Sequence, residues 1–205
     1  MITSVITGDI IKSRTQINAE VWINILKRTL SNLSSDEIYW EIYRGDSFQI
    51  EIRDWYQSFQ AAVYIKACIK SIRGLDVRLA IGIGDKTYEG KNVTESNGNA
   101  FVFSGETLET LKKEKQNLRI KTSNFNIDEE LNLYFKLALV FMDSWTKNSA
   151  EIVKLSIENP NALQSELGEI IGINQNAIST RQKRAHLDEI KELDLMYRQK
   201  IHTLL

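Results

Sequence analysis

Ile2-Thr3-Ser4-Val5-Ile6-Thr7-Gly8-Asp9-Ile10-Ile11 is apolar and β-branched, is broken only by small polar residues, and carries a carboxylate near its end. That is the pattern of a buried first strand with Asp9 at its rim. A second carboxylate stands in Arg44-Gly45-Asp46, between two alternating runs at residues 38–43 and 47–52, which read as a β-hairpin with glycine in the turn. A third core strand is expected over residues 76–84, where Gly82 and Gly84 would let another segment or a ligand approach closely.

Helical spacing fills the intervals. Residues 18–33 place Val21, Trp22, Ile25, Leu26 and Leu33 on one face, and residues 56–72 do the same with Phe59, Ala62, Val63, Ala67 and Ile69. After a polar loop at 85–97 we expect a helix over 99–113 and a short strand over 118–122. A long helix follows over 128–147, capped by Asn126 or Asp128. The polar stretch 146–150 is the expected boundary, beyond which every segment reads as helix. The single proline, Pro160, should end one helix and precede the next. The fold class is therefore α+β. A ferredoxin-like βαββαβ unit with an extra strand and helices spans residues 1–147, followed by a small all-α domain over 148–205.

Composition narrows the function classes. The chain has 205 residues, 42% hydrophobic and 26% charged, with a formal net charge of −1. Nothing global favours nucleic acid or an acidic membrane, so any DNA contact must come from a local patch. Cys68 is the only cysteine and lies in an apolar helical stretch, which excludes an internal disulfide and reads as a buried thiol. The first residues enter a strand with no basic segment before it, so no signal peptide is expected, and no apolar run reaches the ~20 residues of a membrane span. A cytoplasmic protein with no membrane partner is the expectation.

Two strand-end carboxylates on neighbouring strands suit a hard divalent cation, Mg²⁺ or Mn²⁺, which takes one or two carboxylates plus phosphate oxygens. Asp9 and Asp46 are the candidate metal ligands, and Ile10 is a candidate through its backbone carbonyl. Lys12, Arg14 and Arg44 are candidates for phosphate contact, as are Gly98 and Asn99 at the start of a helix, where backbone N–H groups can take an anion. Alone, each aspartate would serve as turn chemistry; it is their shared order along the sheet that points to a nucleotide triphosphate.

The order strand-Asp, helix, Gly-Asp hairpin, helix, Arg78-x-x-Ile81-Gly82 resembles the palm domain of class III nucleotidyl cyclases and diguanylate cyclases over about residues 2–123. That resemblance implies two metals and a nucleotide triphosphate at the aspartates. Three positions depart from it. Ile42 stands where those cyclases carry a base-selecting lysine, and Val102 and Glu106 stand where they carry an asparagine and a charge-stabilising arginine. Across nearly its whole length the chain looks closer to the SatD family of bacterial proteins. The matching segments are Gly8-Asp9-Ile10-Ile11-Lys12-Ser13-Arg14, Gly45-Asp46-Ser47-Phe48-Gln49, Gly82-Ile83-Gly84 and a C-terminal helix-turn-helix.

That last feature rests on residues 164–185. Gly168 is small where two helices cross, Gly172 can take the positive φ of a turn, and Leu167, Ile171, Ile173 and Ile178 are spaced for a shared core. Residues 175–187 then occupy the recognition position. Gln175, Asn176, Ser179 and Thr180 are candidates to read bases or hold phosphates, and Arg181, Lys183 and Arg184 add charge. The stretch resembles the recognition helices of sigma-like domains, except that Gln182 stands where those bury an apolar residue.

His186 and His202 have no ligand partners at useful spacing, and residues 187–205 read as a last amphipathic helix that either makes a homodimer or covers the sheet domain. Three functions remain open: a DNA-binding regulator whose palm holds a nucleotide with Mg²⁺, a palm-type nucleotidyltransferase or cyclase, and a palm without ligands serving as a protein-interaction scaffold.

Overall fold

The computed structural model describes residues 1–16 and 18–204. It is a mixed α+β fold of one five-stranded sheet and eight α-helices among those residues. No helix among them is long and apolar enough to cross a membrane. The strands are β1 (Ile2–Ile11), β2 (Trp40–Tyr43), β3 (Ser47–Ile52), β4 (Asp76–Asp85) and β5 (Leu118–Lys121). The helices are α1 (Glu20–Leu33), α2 (Ser58–Lys70), α3 (Asn99–Glu114), α4 (Phe125–Met142), α5 (Lys147–Glu158), α6 (Gln164–Ile171), α7 (Gln175–Ala185) and α8 (Leu187–His202).

The strand order is β2-β3-β1-β4-β5, with β1 antiparallel to both its neighbours and β4 parallel to β5. β1 is thus the central strand. Alternation along it sends Ile6 and Ile10 to one face, beside Phe48, Ile50, Val77, Leu79 and Ile81, and this face packs against α1, α2 and α4. The opposite parity of β1 carries Thr3, Val5, Thr7 and Asp9 to the second face. There α3 lies directly on β4, through Ala100, Phe101, Leu108 and Leu111.

The close approach expected at Gly82 and Gly84 is made by α3. A Cβ at Gly82 would sit 2.2 Å from the Ala100 carbonyl oxygen and 2.5 Å from the Ser104 nitrogen, and one at Gly84 would sit 2.8 Å from the Ala100 nitrogen. Those are backbone atoms and cannot swing aside, so both glycines serve helix–sheet packing.

Two expected elements differ. The helix expected over 128–147 starts earlier and is cut in two. Its cap is Asn124, whose side chain accepts from the amides of Asn126 and Ile127, while Asp128 turns inward to accept from the Thr122 amide at 2.7 Å and Lys121 at 2.6 Å. α4 then stops at Met142, and Thr146 caps a separate α5 by accepting from the Ser149 amide. The last helix ends at His202, and Leu205 lies outside the described residues.

One hydrophobic core crosses the boundary expected at residues 147/148. Tyr197 of α8 is fully buried against Phe59 and Phe135 and donates its hydroxyl to the Trp55 carbonyl at 2.9 Å. α8 therefore covers the sheet domain with its apolar side. Cys68 is buried, as its neighbours imply, and desolvation pushes its thiol pKa up.

The most deeply buried charge is Lys66 on α2, whose side chain is 1% exposed. Its ammonium donates to Asp76 at 2.8 Å and to Asp143 at 2.6 Å, tying α2 to the start of β4 and to the residue that ends α4. Lys70 donates to the other oxygen of Asp76 at 3.0 Å and to the Asp143 carbonyl at 2.8 Å. Removing the buried ammonium leaves the Asp143 carboxylate without a counter-charge and Asp76 with Lys70 alone. Because the Asp143 side chain is 39% exposed, the cost falls below that of a fully buried pair. Lys66→Met is expected to lower stability by about 2–3 kcal/mol in urea titration. A loss under about 0.5 kcal/mol would mean that Lys70 alone satisfies both acids.

Candidate functional site

Two regions gather the candidate residues: the rim of the sheet at the end of β1, and α7. At the rim, the register places Asp9 between Ser47 on β3 and Arg78 on β4. Asp46 follows Arg44 and Gly45, whose φ values of 52° and 88° make a turn with two left-handed residues in succession. The hairpin folds back on β1, since the Ile10 amide donates to the Asp46 carbonyl at 3.0 Å. The Ile10 side chain itself is in the core, so only its backbone faces the rim.

The two carboxylates have different environments. Asp46 accepts a 2.6 Å hydrogen bond from the Ser13 hydroxyl, which fixes the hairpin to the turn after β1. Asp9 receives the Arg78 guanidinium on one oxygen at 3.3 Å, and its other oxygen is buried with no hydrogen-bond partner. The Arg78 Nε is likewise buried and unpartnered. Burial pushes the Asp9 pKa above the ordinary carboxylate range; Arg78 and Lys112 pull it down and Asp46 adds to the rise. The last of these places the two aspartates within electrostatic reach of each other. Among the described residues, no group of three or more His, Cys, Asp or Glu side chains is arranged to hold a metal.

The remaining phosphate candidates divide. Lys12, with φ 65°, and Arg14 are exposed in the turn that supplies Ser13, and Arg44 is exposed in the hairpin. Gly98 and Asn99 are elsewhere. They lie next to Asp85, which pairs with Ile2 at the far end of β1, roughly 23 Å of strand from Asp9. The Asp85 carboxylate already accepts from the Asn99 amide at 3.0 Å, so this helix start is neutralised by an acid and is no phosphate site.

α3 runs antiparallel to β4, so its last turns face the rim. Lys112 and Glu109 stand near Asp9 and Tyr43, while Val102 and Glu106 are exposed elsewhere on the helix. Arg78 and Lys112 are thus site residues that spacing arguments missed. Arg78 was detectable, as a charge between the apolar Val77 and Leu79 on a buried strand.

α6 and α7 meet through a glycine crossing. A Cβ at Gly168 would lie 2.4 Å from the Ile173 carbonyl oxygen, and Gly172 holds φ 73° in the turn. Asn174 caps α7 by accepting from the Ala177 amide at 2.9 Å. Ile178 and Ala185 are buried, whereas Gln175, Asn176, Thr180, Lys183 and Arg184 are exposed. Ser179 is half-buried. Arg181 is turned away from solvent by Glu151 on α5, at 2.9 Å, so its role is a link between helices. Gln182 replaces an apolar contact with a hydrogen bond from Gln164 on α6 at 2.8 Å.

No protein-family model matches the chain, and no curated protein is detectably similar to it.

Arg181→Ala should lower stability by about 0.5–1 kcal/mol through the loss of the partly exposed Glu151 pair. Arg184→Ala should change it by less than about 0.5 kcal/mol. Equal effects in thermal melts of the two variants would remove the structural assignment of Arg181.

Proposed function

We propose that the protein is a DNA-binding regulator. In this reading α6 and α7 form a helix-turn-helix, and the sheet with α1–α4 is a ferredoxin-like palm, as in SatD-type proteins, that holds a nucleotide through Mg²⁺ or Mn²⁺. The observation that carries the reading is the outer face of α7. Asn176, Thr180, Lys183 and Arg184 recur at helical spacing, all exposed, on a helix whose other side is buried. Gln and Asn side chains at the helix start can pair with base edges, and Lys and Arg further along can neutralise phosphates. With a net charge of −1 over the whole chain, this local cationic face is what would orient the protein on DNA.

Each phosphate contact adds about one to the slope of log affinity against log salt. Lys183→Ala/Arg184→Ala should therefore weaken binding to duplex DNA at least about tenfold and cut the salt slope by about two, in fluorescence anisotropy. Wild-type affinity in the double variant would overturn the reading.

A second reading, a nucleotidyltransferase or cyclase, is favoured by Asp9. A buried carboxylate oxygen without a hydrogen-bond partner, with Asp46 in reach, is the chemistry a divalent cation would satisfy. The ion would hold the phosphates; Arg78 and Lys112 are placed to take up charge there, in place of the arginine that Glu106 replaces. Calorimetric titration of ATP, GTP, CTP and UTP with Mg²⁺ tests both readings. Metal-dependent binding by wild type, lost in Asp9→Asn/Asp46→Asn, is expected. Product in the mixture would favour the enzyme, and no binding of any nucleotide would leave the sheet domain as a scaffold.

A further inference from the structure

A cleft of about 670 Å³ opens at the same rim, beyond Arg78, between the end of β1, the start of β4, the end of α3 and the α4–α5 junction. Its walls carry far more positive than negative charge, and the ion pairs decide how much of that charge is free. The wall acids Asp76 and Asp143 are satisfied by Lys66 and Lys70. Arg78 is held by Asp9, and Lys112 by Glu109 at 2.7 Å. Lys12, Arg73, Lys115 and Lys147 remain. All four line the cleft, are exposed, and belong to no ion pair among the described residues.

Four like charges around one concavity repel each other, and a small anion of several charges relieves that repulsion. Lys12 and Lys115 also hold left-handed backbone, with φ 65° and 55°, a conformation costing roughly 1–2 kcal/mol for a residue with a Cβ. Lys115 is the residue that ends α3, its amide donating to the Leu111 carbonyl, and Lys12 begins the turn after β1, so both cations stand at the rim on turns that close secondary structure. The volume is that of a small-molecule site.

The far wall is Trp145, 6% exposed, whose indole N–H donates to the Ala185 carbonyl at the end of α7 at 3.0 Å. We infer that the cleft binds a small molecule bearing a chain of phosphates, without requiring a metal, and that the ligand rests against the junction that holds the last turn of α7. The cleft borders the carboxylate pair at Arg78 and Lys112, but its four free cations make no ion pair with either aspartate.

Inorganic tripolyphosphate, titrated calorimetrically into the full chain in EDTA at low salt, is the probe. One-to-one binding is expected, weakened at least about tenfold in Arg73→Ser/Lys147→Ser, which removes two of the four free cations. It should be kept within about twofold in Lys27→Ser/Arg28→Ser on α1, and should be no weaker in Asp9→Asn/Asp46→Asn, which frees Arg78 at the cleft. Hydrogen exchange at the amides of Ala185 and His186 should slow when the ligand is bound. Three results would each overturn the inference: no binding at about 1 mM tripolyphosphate, equal weakening by the α1 variant, which would mean diffuse charge attraction, or a requirement for Mg²⁺ and Asp9. Unchanged exchange at the end of α7 would overturn the link to Trp145.

Discussion

The ammonium of Lys66 holds together parts of the chain that have little else in common. It sits on a helix whose other residues are nearly all apolar and buried, and it is itself buried. A charge there is tolerated only because Asp76 and Asp143 both reach it. Asp76 starts β4, and Asp143 ends α4. The contact therefore joins the start of β4 to the end of the long helix. Three residues further on, Thr146 caps α5 as a separate helix, the first of the four C-terminal helices. α8 closes the arrangement from the other side through Tyr197.

The same contact shapes the electrostatics of the rim. Two carboxylates that would otherwise lower the potential of the cleft are spent on Lys66 and Lys70, leaving its outer cations unmatched. A few ångströms of strand away the balance is reversed. Asp9 is short of partners and its pKa is raised by desolvation, with Arg78 the largest of the influences that lower it. An acid with a free oxygen beside a surplus of cations is an arrangement that structural stability alone does not call for, since a neutral pair of residues would pack there at less cost.

Much of the fold was legible in the sequence because its determinants are local. Alternation and β-branching mark β1 and the hairpin, and helical spacing marks α1, α2 and α3. Gly82 and Gly84 announce a close contact without naming what makes it, and that contact is α3. What could not be read were choices decided across long separations. Asn124, Asn126 and Asp128 are all acceptable caps in isolation. Asp128 is lost to that role because Lys121 at the end of β5 and the Thr122 amide just after it both need it. Arg181 and Arg184 look equivalent on α7 until Glu151, on another helix, is known to face the first of them. Gly98 and Asn99 resemble an anion site until Asp85 is found on it. Each error came from counting a polar group as free when a distant residue had already claimed it, which is the property of polar groups that sequence spacing cannot express.

The residues from Asp143 to Lys147 lie where all of these elements meet. Asp143 answers to Lys66, Trp145 to the end of α7, Thr146 to the start of α5, and Lys147 to the cleft. Three of these five consecutive residues are anchored separately, so the segment cannot shift one residue at a time. A displacement that favours a ligand in the cleft must strain the Trp145–Ala185 hydrogen bond or the Lys66 pair, and neutral hydrogen bonds contribute about 1 kcal/mol each while charged ones contribute about 1.5–3. The resulting coupling between cleft and α7 is bounded by those values at roughly 1–3 kcal/mol, the size by which natural effectors change affinity between about fivefold and 150-fold. A tighter linkage would need a second contact between the junction and α7. Phe141 provides one by stacking on His186, 4.7 Å between ring centres, at the residue that separates α7 from α8. With two contacts rather than one, the end of α7 is tied to the end of α4 and to the junction after it, four of whose five residues line the cleft.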